Sequence, residues 1–223
     1  MKILDKKNKI YLLDEENFNF PTLDMMKDDL VAVGGDFHPQ RLLNAYENGI
    51  FPWYIDEYNY IHWFSPNKRM VLKPEEMKVS KSLKKSILNK GFVIKSNENF
   101  EAVMRNCSNI KRKHEDSTWI SEEFIQAYTN LHHLDIAFSI ECYLDEELVG
   151  GLYGLLIGDV FCGESMFAKV TDASKVAFYH LCQQAKKNDI KLIDCQVYND
   201  HLASLGAYEI TREDYFKILK ESF

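Results

Sequence analysis

The chain has 223 residues, of which 46% are hydrophobic, and a formal net charge of −7. This length allows one large or two small domains, and the acidic balance argues against a protein that coats nucleic acid by bulk charge. No run of 18 apolar residues predicts a membrane span, and residues 1–7 lack the apolar stretch of a signal peptide. The five cysteines form no C-x-x-C pair, which favours a reducing compartment, the cytoplasm, and no structural zinc.

The first 70 residues are predicted to form a small domain of short strands and one helix. Pro39 fits the first turn of that helix, which stops at Gly49. Two aromatic segments follow at 50–54 and 60–66. Their rings form either a small aromatic core or, for Trp53 held just after a proline, a platform on which a nucleobase stacks with ~1–3 kcal/mol.

A basic stripe is predicted on the next helix. Ser80 is a good N-cap and Gly91 ends the helix. Lys81, Lys84 and Lys85 share one face at the positive end of the helix, where like charges repel one another and oppose the dipole. A bound polyanion would relieve both penalties. The alternative is a solvated face.

Residues 148–165 predict a β-hairpin. Two apolar strands, 148–157 and 160–165, flank a Gly-Asp pair that suits a two-residue turn. Glycines inside a strand are costly and mark a bulge or a close approach to the backbone. The glycines in question are Gly150, Gly151 and Gly154.

Polar residues interrupt two of the apolar strands. Glu164 lies near the end of the second hairpin strand, where a carboxylate needs a partner or a role unless the strand is a solvated edge. Asp194 and Gln196 lie two apart on a predicted strand at 191–198, so they face one side and Cys195 faces the other. This pair predicts a site, whereas the alternative is an Asp that bonds only to the backbone. The alternation disfavours Cys195 as an acyl-enzyme thiol.

The order of elements after residue 136 predicts an α+β fold. Three antiparallel strands precede a helix at 173–187, a further strand and two helices. We place a domain boundary between a small N-terminal domain at 1–70 and a larger domain at 71–223.

Several strings in the chain resemble one family, the bacterial leucyl/phenylalanyl-tRNA–protein transferases. The similarity runs from about Phe20 to the C-terminus, and the strings keep the family's order. They are Leu-Val-Ala-Val-Gly-Gly-Asp (30–36), Gly-Ile-Phe-Pro-Trp (49–53), Thr-Trp-Ile (118–120), Gly-Gly-Leu-Tyr-Gly with Phe-Cys-Gly-Glu-Ser-Met-Phe (150–167), Asp-Ala-Ser-Lys (172–175), Leu-Ile-Asp-Cys-Gln (192–196) and Ser-Leu-Gly-Ala (204–207).

The resemblance implies an acetyltransferase-like (GNAT) C-terminal domain and an aminoacyltransferase activity. Such an enzyme moves Leu or Phe, and Met weakly, from aminoacyl-tRNA to the α-amine of a protein that begins with Lys or Arg, creating an N-degron. The ester is already activated, so no cofactor and no metal are expected. Two alternatives are a GNAT-type acyltransferase that uses an acyl thioester and a non-catalytic tRNA-binding module. The apolar segment 166–172 ends in a carboxylate, which argues against a CoA pyrophosphate there.

The resemblance also assigns roles to residues. It implies that Asp194, Gln196 and Glu164 are catalytic, with Glu164 binding either the acceptor's basic residue or the tRNA ribose. The basic stripe would contact the acceptor stem, although the family favours Arg where Lys81 and Lys85 stand. The charged segment 111–116 is a further candidate tRNA contact. The substrate-binding residues would be Trp53, Trp119, Leu152, Phe161, Met166, Leu181 and Ile193, the last five forming an apolar pocket or, alternatively, plain core.

Overall fold

The computed structural model describes residues 1–109 and 120–223 and shows an α+β protein. The strands are β1 (Lys2–Asp5), β2 (Ile10–Leu13), β3 (Leu30–Gly34), β4 (Phe51–Ile55), β5 (Ile61–Phe64), β6 (Lys68–Leu72), β7 (Val93–Ser96), β8 (Ala137–Leu144), β9 (Glu147–Ile157), β10 (Val160–Ala168), β11 (Leu192–Gln196) and β12 (Tyr208–Thr211). The α-helices are α1 (Pro39–Glu47), α2 (Lys81–Asn89), α3 (Phe100–Asn109), α4 (Glu122–His133), α5 (Ala173–Lys187), α6 (Asp200–Ser204) and α7 (Arg212–Lys220). Short 3-10 helices cover Leu23–Met25 and Pro74–Glu76.

The described chain divides into two compact units. The first unit contains Met1–Arg69 and Glu209–Phe223, and the second contains Met70–Tyr208. The sequence placed every residue after 70 in the second domain, whereas the final segment clusters with the N-terminal residues.

One buried arginine packs against the final segment within the first unit. The guanidinium carbon of Arg69 lies 4.7 Å from the ring centre of Phe51 and 4.6 Å from that of Tyr215 in α7. Its Nη1 donates to the Gly49 carbonyl at 3.1 Å. Gly49 has φ +64°, and a Cβ there would lie 2.9 Å from the Phe216 ring. A glycine at the end of α1 therefore supplies both the left-handed backbone and the room for α7.

The sheet of the first unit has the order β1-β2-β3-β5-β4, with β2 and β3 parallel. Trp63 of β5 is fully buried, and its Nε1 donates to the Gly34 carbonyl at 2.8 Å. The burial of this ring and the hydrogen bond to its nitrogen are what a core tryptophan requires. Trp63 therefore belongs to the aromatic core of this unit.

In the second unit the strands lie in the order β6-β11-β10-β9-β8-β7, and β10 and β11 are parallel. Two adjacent glycines of β9 let helices approach opposite faces of this sheet. A Cβ on Gly150 would lie 2.5 Å from the Cβ of Ala173 in α5, and one on Gly151 would lie 3.4 Å from Val103 in α3. The predicted close approaches are thus confirmed, with α5 on one face and α3 on the other.

Local signals placed most elements of this unit correctly. The helix predicted at 173–187 is α5, and the Ser80 Oγ caps α2 by accepting from the Leu83 N–H at 3.1 Å. The second hairpin strand was predicted to end at 165. It continues to Ala168, because pairing with β9 extends as far as Gly150.

Candidate active site

Two irregularities meet where the parallel strands β10 and β11 separate. Their paired positions are Val160↔Leu192, Phe161↔Ile193 and Cys162↔Asp194. At this level the register of β10 against β9 shifts between Gly163 and Ser165, and that of β11 against β6 shifts between Asp194 and Gln196. Extra residues in strands re-aim the side chains next to them and recur beside active sites.

The shifts direct Glu164 and Gln196 toward each other. The Gln196 Nε2 donates to Glu164 Oε1 at 2.7 Å, and the Tyr128 hydroxyl of α4 donates to Glu164 Oε2 at 3.3 Å. Glu164 is 9% exposed. Each oxygen of the carboxylate therefore accepts a hydrogen bond from the protein. The two donors hold Glu164 in place from two different elements.

Asp194 acts on Gln196 through the backbone. It is fully buried, and its Oδ1 accepts from the Gln196 backbone N–H at 2.9 Å. Gln196 has φ +63°, in the left-handed region that a non-glycine residue occupies at a cost. The hydrogen bond stabilises this conformation. Simple alternation does not describe the pair, because the bulge at Cys195 lies between its members.

The five predicted pocket residues lie together in one apolar cluster on the α5 face. Leu152, Phe161, Leu181 and Ile193 are buried members of this cluster, and the half-buried Met166 packs against it. Met166 is also two residues beyond Glu164 on β10. The Glu164–Gln196 pair thus lies just beyond the last paired positions of β10 and β11, on the same strands that contribute Phe161, Met166 and Ile193 to the apolar cluster.

A glycine gives one pocket residue its room. A Cβ on Gly154 would lie 2.7 Å from the Phe161 ring, and it would also overlap the Cys162 carbonyl oxygen. The ring of Phe161 therefore lies directly over the β9 backbone. A larger residue at 154 would push this ring out of its place in the cluster.

The predicted basic stripe is exposed on α2. Lys81, Lys84 and Lys85 all face solvent, and none forms an ion pair within residues 1–109 and 120–223. Leu83 and Ser86 form the buried side of the same helix. The three ammonium groups thus give the second unit a local positive surface in an acidic protein.

Trp53 lies in the first unit and is half-buried on β4. Its ring centre lies 4.8 Å from that of Phe64, edge to face, and 6.1 Å from that of Phe51. Phe64 thus packs against the tryptophan. Trp119 and the charged segment 111–116 lie outside the described residues.

The cysteines and His201 have ordinary structural roles. Burial raises the pKa of Cys142 and of Cys182 to about 12, whereas Cys195 is half-buried beside the apolar cluster. His201 is in the first turn of α6, and its backbone N–H donates to the capping Asn199 Oδ1 at 2.9 Å. The described residues contain no cluster of His, Cys, Asp or Glu suited to a metal ion.

One residue of the site was missed from the sequence. Tyr128 lies in the buried stripe of α4 and was not among the predicted site residues, and the structure adds its hydroxyl bond to Glu164. The signal available was a tyrosine at a position where Phe or Leu would fill the stripe equally well. Buried tyrosines usually have a hydrogen-bond partner for the hydroxyl.

Within residues 1–109 and 120–223, no helix is long and apolar enough to cross a membrane.

Comparison with known proteins identifies the chain's family. Residues 71–220 match the family model of leucyl/phenylalanyl-tRNA protein transferase, and residues 35–67 match that of its N-terminal domain. The chain is 49% identical over 211 residues to the leucyl/phenylalanyl-tRNA–protein transferase of Flavobacterium johnsoniae, covering 95% of this chain and 99% of that one. It is 51% identical over 199 residues to that of Dechloromonas aromatica, covering 88% and 85%.

A solved structure carries the fold comparison. FemX aligns with a TM-score of 0.52 at 11% identity, covering 79% of this chain and 70% of that one. This likeness concerns the fold alone, and it confirms the predicted acetyltransferase-like (GNAT) architecture. On its sequence matches, the chain belongs to the leucyl/phenylalanyl-tRNA–protein transferase family.

Proposed function

We propose that this protein transfers Leu or Phe, and Met less well, from aminoacyl-tRNA to the α-amine of proteins that begin with Lys or Arg. The observation that carries the proposal is the Gln196–Glu164 hydrogen bond between β10 and β11, two strands that also contribute to an apolar cluster. The membership of the chain in the leucyl/phenylalanyl-tRNA–protein transferase family supports the same reaction. The product is an N-degron, and a tRNA donor places the enzyme in the cytoplasm.

The reaction joins an amine to an activated ester. The α-amino nitrogen attacks the ester carbonyl carbon, a peptide bond forms, and the bond to the ribose oxygen of the terminal adenosine breaks. The amine loses one proton and the ribose oxygen gains one. An α-amino group has a pKa of about 7.7–8.0, so roughly a tenth of it is neutral at pH 7. A strong base is therefore unnecessary, and positioning is the main requirement.

Gln196 is proposed to hold the attacking amine. A carboxylate only accepts hydrogen bonds, so the Gln196 amide must turn its Nε2 toward Glu164. The amide oxygen is then fixed on the other side, where it accepts from an amine N–H. Because Asp194 is fully buried, it acts as a positioning residue through the Gln196 backbone.

Glu164 and the cluster are proposed to select the two substrates. The Glu164 carboxylate would accept from the ammonium or guanidinium of an acceptor's Lys or Arg. The apolar cluster would take the aminoacyl side chain. Such a pocket separates side chains that differ by a methylene by only ~1–3 kcal/mol, so a mixed Leu and Phe specificity follows. A flexible Met166 suits both shapes.

The remaining residues are proposed to bind tRNA. The phosphates of the acceptor stem would be neutralised by Lys81, Lys84 and Lys85. Each such contact would steepen the slope of the logarithm of tRNA affinity against the logarithm of salt concentration by about one. Trp53 and Trp119 would contact the terminal adenosine by stacking. Lysine supplies charge without the bidentate fork of arginine, so these phosphate contacts are point-like.

The test is a transfer assay without ATP. Labelled Leu-tRNA is mixed with a peptide that begins with Arg, with the same peptide acetylated at its N-terminus, and with one that begins with Ala. We expect label only in the first peptide and a large loss in the Gln196→Ala variant. Salt-sensitive tRNA binding without transfer would indicate a binding module. Transfer from an acyl thioester instead would indicate an acetyltransferase-type enzyme.

A further inference from the structure

We infer that Asp172 is a positioning residue that latches the basic helix α2 onto the start of α5 and so fixes the lysine face that binds tRNA. This inference rests on the proposed tRNA-binding role of Lys81, Lys84 and Lys85. It adds a residue from a different element, 86 positions away from its partner Ser86 in the chain.

The side chain of Asp172 does not cap the helix that it precedes. It precedes α5 at the N-cap position, where an Asp side chain normally accepts from its own helix. Here no such bond is made, and the residue has φ +72°. A non-glycine residue in this region costs about 1 kcal/mol or more and persists only where its surroundings hold it there.

The carboxylate binds α2 instead. Its Oδ2 accepts from the Ser86 Oγ at 2.7 Å and lies 3.8 Å from the Lys90 Nζ. Lys90 also donates to the Thr171 carbonyl at 2.8 Å. The other carboxylate oxygen of Asp172, Oδ1, lies 3.4 Å from the Lys175 Nζ. The Ser86 hydrogen bond lowers the pKa of Asp172, so the carboxylate is ionised at neutral pH.

The latch lies on the side of α2 opposite the lysines. Ser86 and Leu83 are the buried residues of this helix, one turn apart. Two attachments at that spacing fix both the position and the rotation of a short helix. With Ser86 held by Asp172, the three lysines turn outward.

Asp172 also forms ion pairs with two lysines that lie outside the basic stripe. It pairs with Lys90 and Lys175, whereas Lys81, Lys84 and Lys85 have no ion pair within residues 1–109 and 120–223. The single carboxylate of Asp172 therefore offsets part of the positive charge of Lys90 and Lys175. The helix face beyond it keeps its full charge for phosphates.

A change at Asp172 separates positioning from simple electrostatics by the sign of its effect. Asp172→Asn removes a negative charge near the lysine face, which alone would tighten the binding of a polyanion such as tRNA. Asn keeps an oxygen that can accept from Ser86, but the hydrogen bond is then neutral and the ion pairs with Lys90 and Lys175 are lost, so the weaker latch predicts weaker binding, about three-fold. Ser86→Ala removes the hydrogen bond altogether without a charge change and should weaken binding about five-fold, as for a hydrogen bond of ordinary strength.

Asp189→Asn is the matched control. Asp189 lies just beyond the other end of α5, is exposed, has φ +55° and forms no ion pair within residues 1–109 and 120–223. The same chemical change there should leave tRNA affinity unchanged or slightly tighter. Thermal unfolding of each variant identifies any that fails to fold, and Ser86→Ala, the milder change, then carries the test.

The measurements are tRNA affinity as a function of salt and the steady-state constants for transfer. We expect Asp172→Asn and Ser86→Ala to raise KM for aminoacyl-tRNA with kcat nearly unchanged, which a merely structural defect would not do. Unchanged or tighter binding in both variants would overturn the latch. Lys84→Ala tests the foundation separately, since a salt slope equal to that of the wild type would refute the tRNA-binding face itself.

Discussion

The hydrogen bond from Gln196 to Asp194 makes a sharp prediction about the role of the buried carboxylate. If Asp194 works by holding the Gln196 backbone N–H at 2.9 Å, then Asp194→Asn keeps an acceptor oxygen in the same place. A neutral acceptor gives roughly half the strength of a charged one. The expected loss is then about 1 kcal/mol of transition-state stabilisation, or about five-fold in kcat.

Asp194→Ala should be far more damaging. It leaves the Gln196 N–H without its acceptor and releases the backbone from φ +63°. An unpaired buried donor costs ~1–3 kcal/mol, and the cavity left by a fully buried side chain adds to this. We expect kcat to fall roughly a hundred-fold, corresponding to about 3 kcal/mol.

The assay is single-turnover transfer of labelled leucine at saturating Leu-tRNA, with circular dichroism of each variant to establish that it is folded. The ratio between the two variants is the informative quantity. If Asp194→Asn were as inactive as Asp194→Ala while remaining folded, the carboxylate would be needed as a charge or a proton acceptor. The positioning role derived from the structure would then be refuted.

Other substitutions test the hydrogen bond from Tyr128 to Glu164, the packing of α5 on the sheet and the reactivity of the cysteines. Tyr128→Phe keeps the buried ring but removes the donor to Glu164, so kcat should fall about three- to ten-fold with little change in Tm, and an unchanged kcat would mean that the Tyr128 hydroxyl is not needed to hold the carboxylate. Gly150→Ala should lower the free energy of unfolding by ~1–3 kcal/mol in urea denaturation, because its Cβ would lie 2.5 Å from the first residue of α5, and an undiminished stability would contradict that packing. In native protein a thiol reagent at pH 8 should modify one cysteine quickly, Cys195, because the others are buried and burial raises the pKa of Cys182 to about 12; a fast reaction that survives Cys195→Ala would disprove this.

The hairpin, the long helix and the basic helix follow from local sequence signals. Two apolar runs on either side of the Gly158–Asp159 turn specify β9 and β10, and α5 covers the residues predicted for it. Ser80 begins α2 by capping it. These features depend on residues near one another in the chain, where the side-chain period and the capping chemistry act directly.

The sequence also determined which residues form the apolar side of the site. The resemblance to a known family picked five positions on four different elements, and the fold gathers them in one cluster. What a sequence could not supply is the conformation around the polar residues. Alternation along β11 predicted that Asp194 and Gln196 share a side, but the bulge between them makes the contact a backbone one.

Only the tertiary structure decided the contacts that hold the site together and those that join distant segments within one unit. Tyr128 meets Glu164 across 36 residues, and Asp172 meets Ser86 across 86. Glu209–Phe223 joins the first unit because Tyr215 completes the ring sandwich around Arg69. Each contact depends on how separate elements pack and on where a strand shifts its register. Neither is encoded in the period of any one segment, so these contacts exist only once the whole chain has folded.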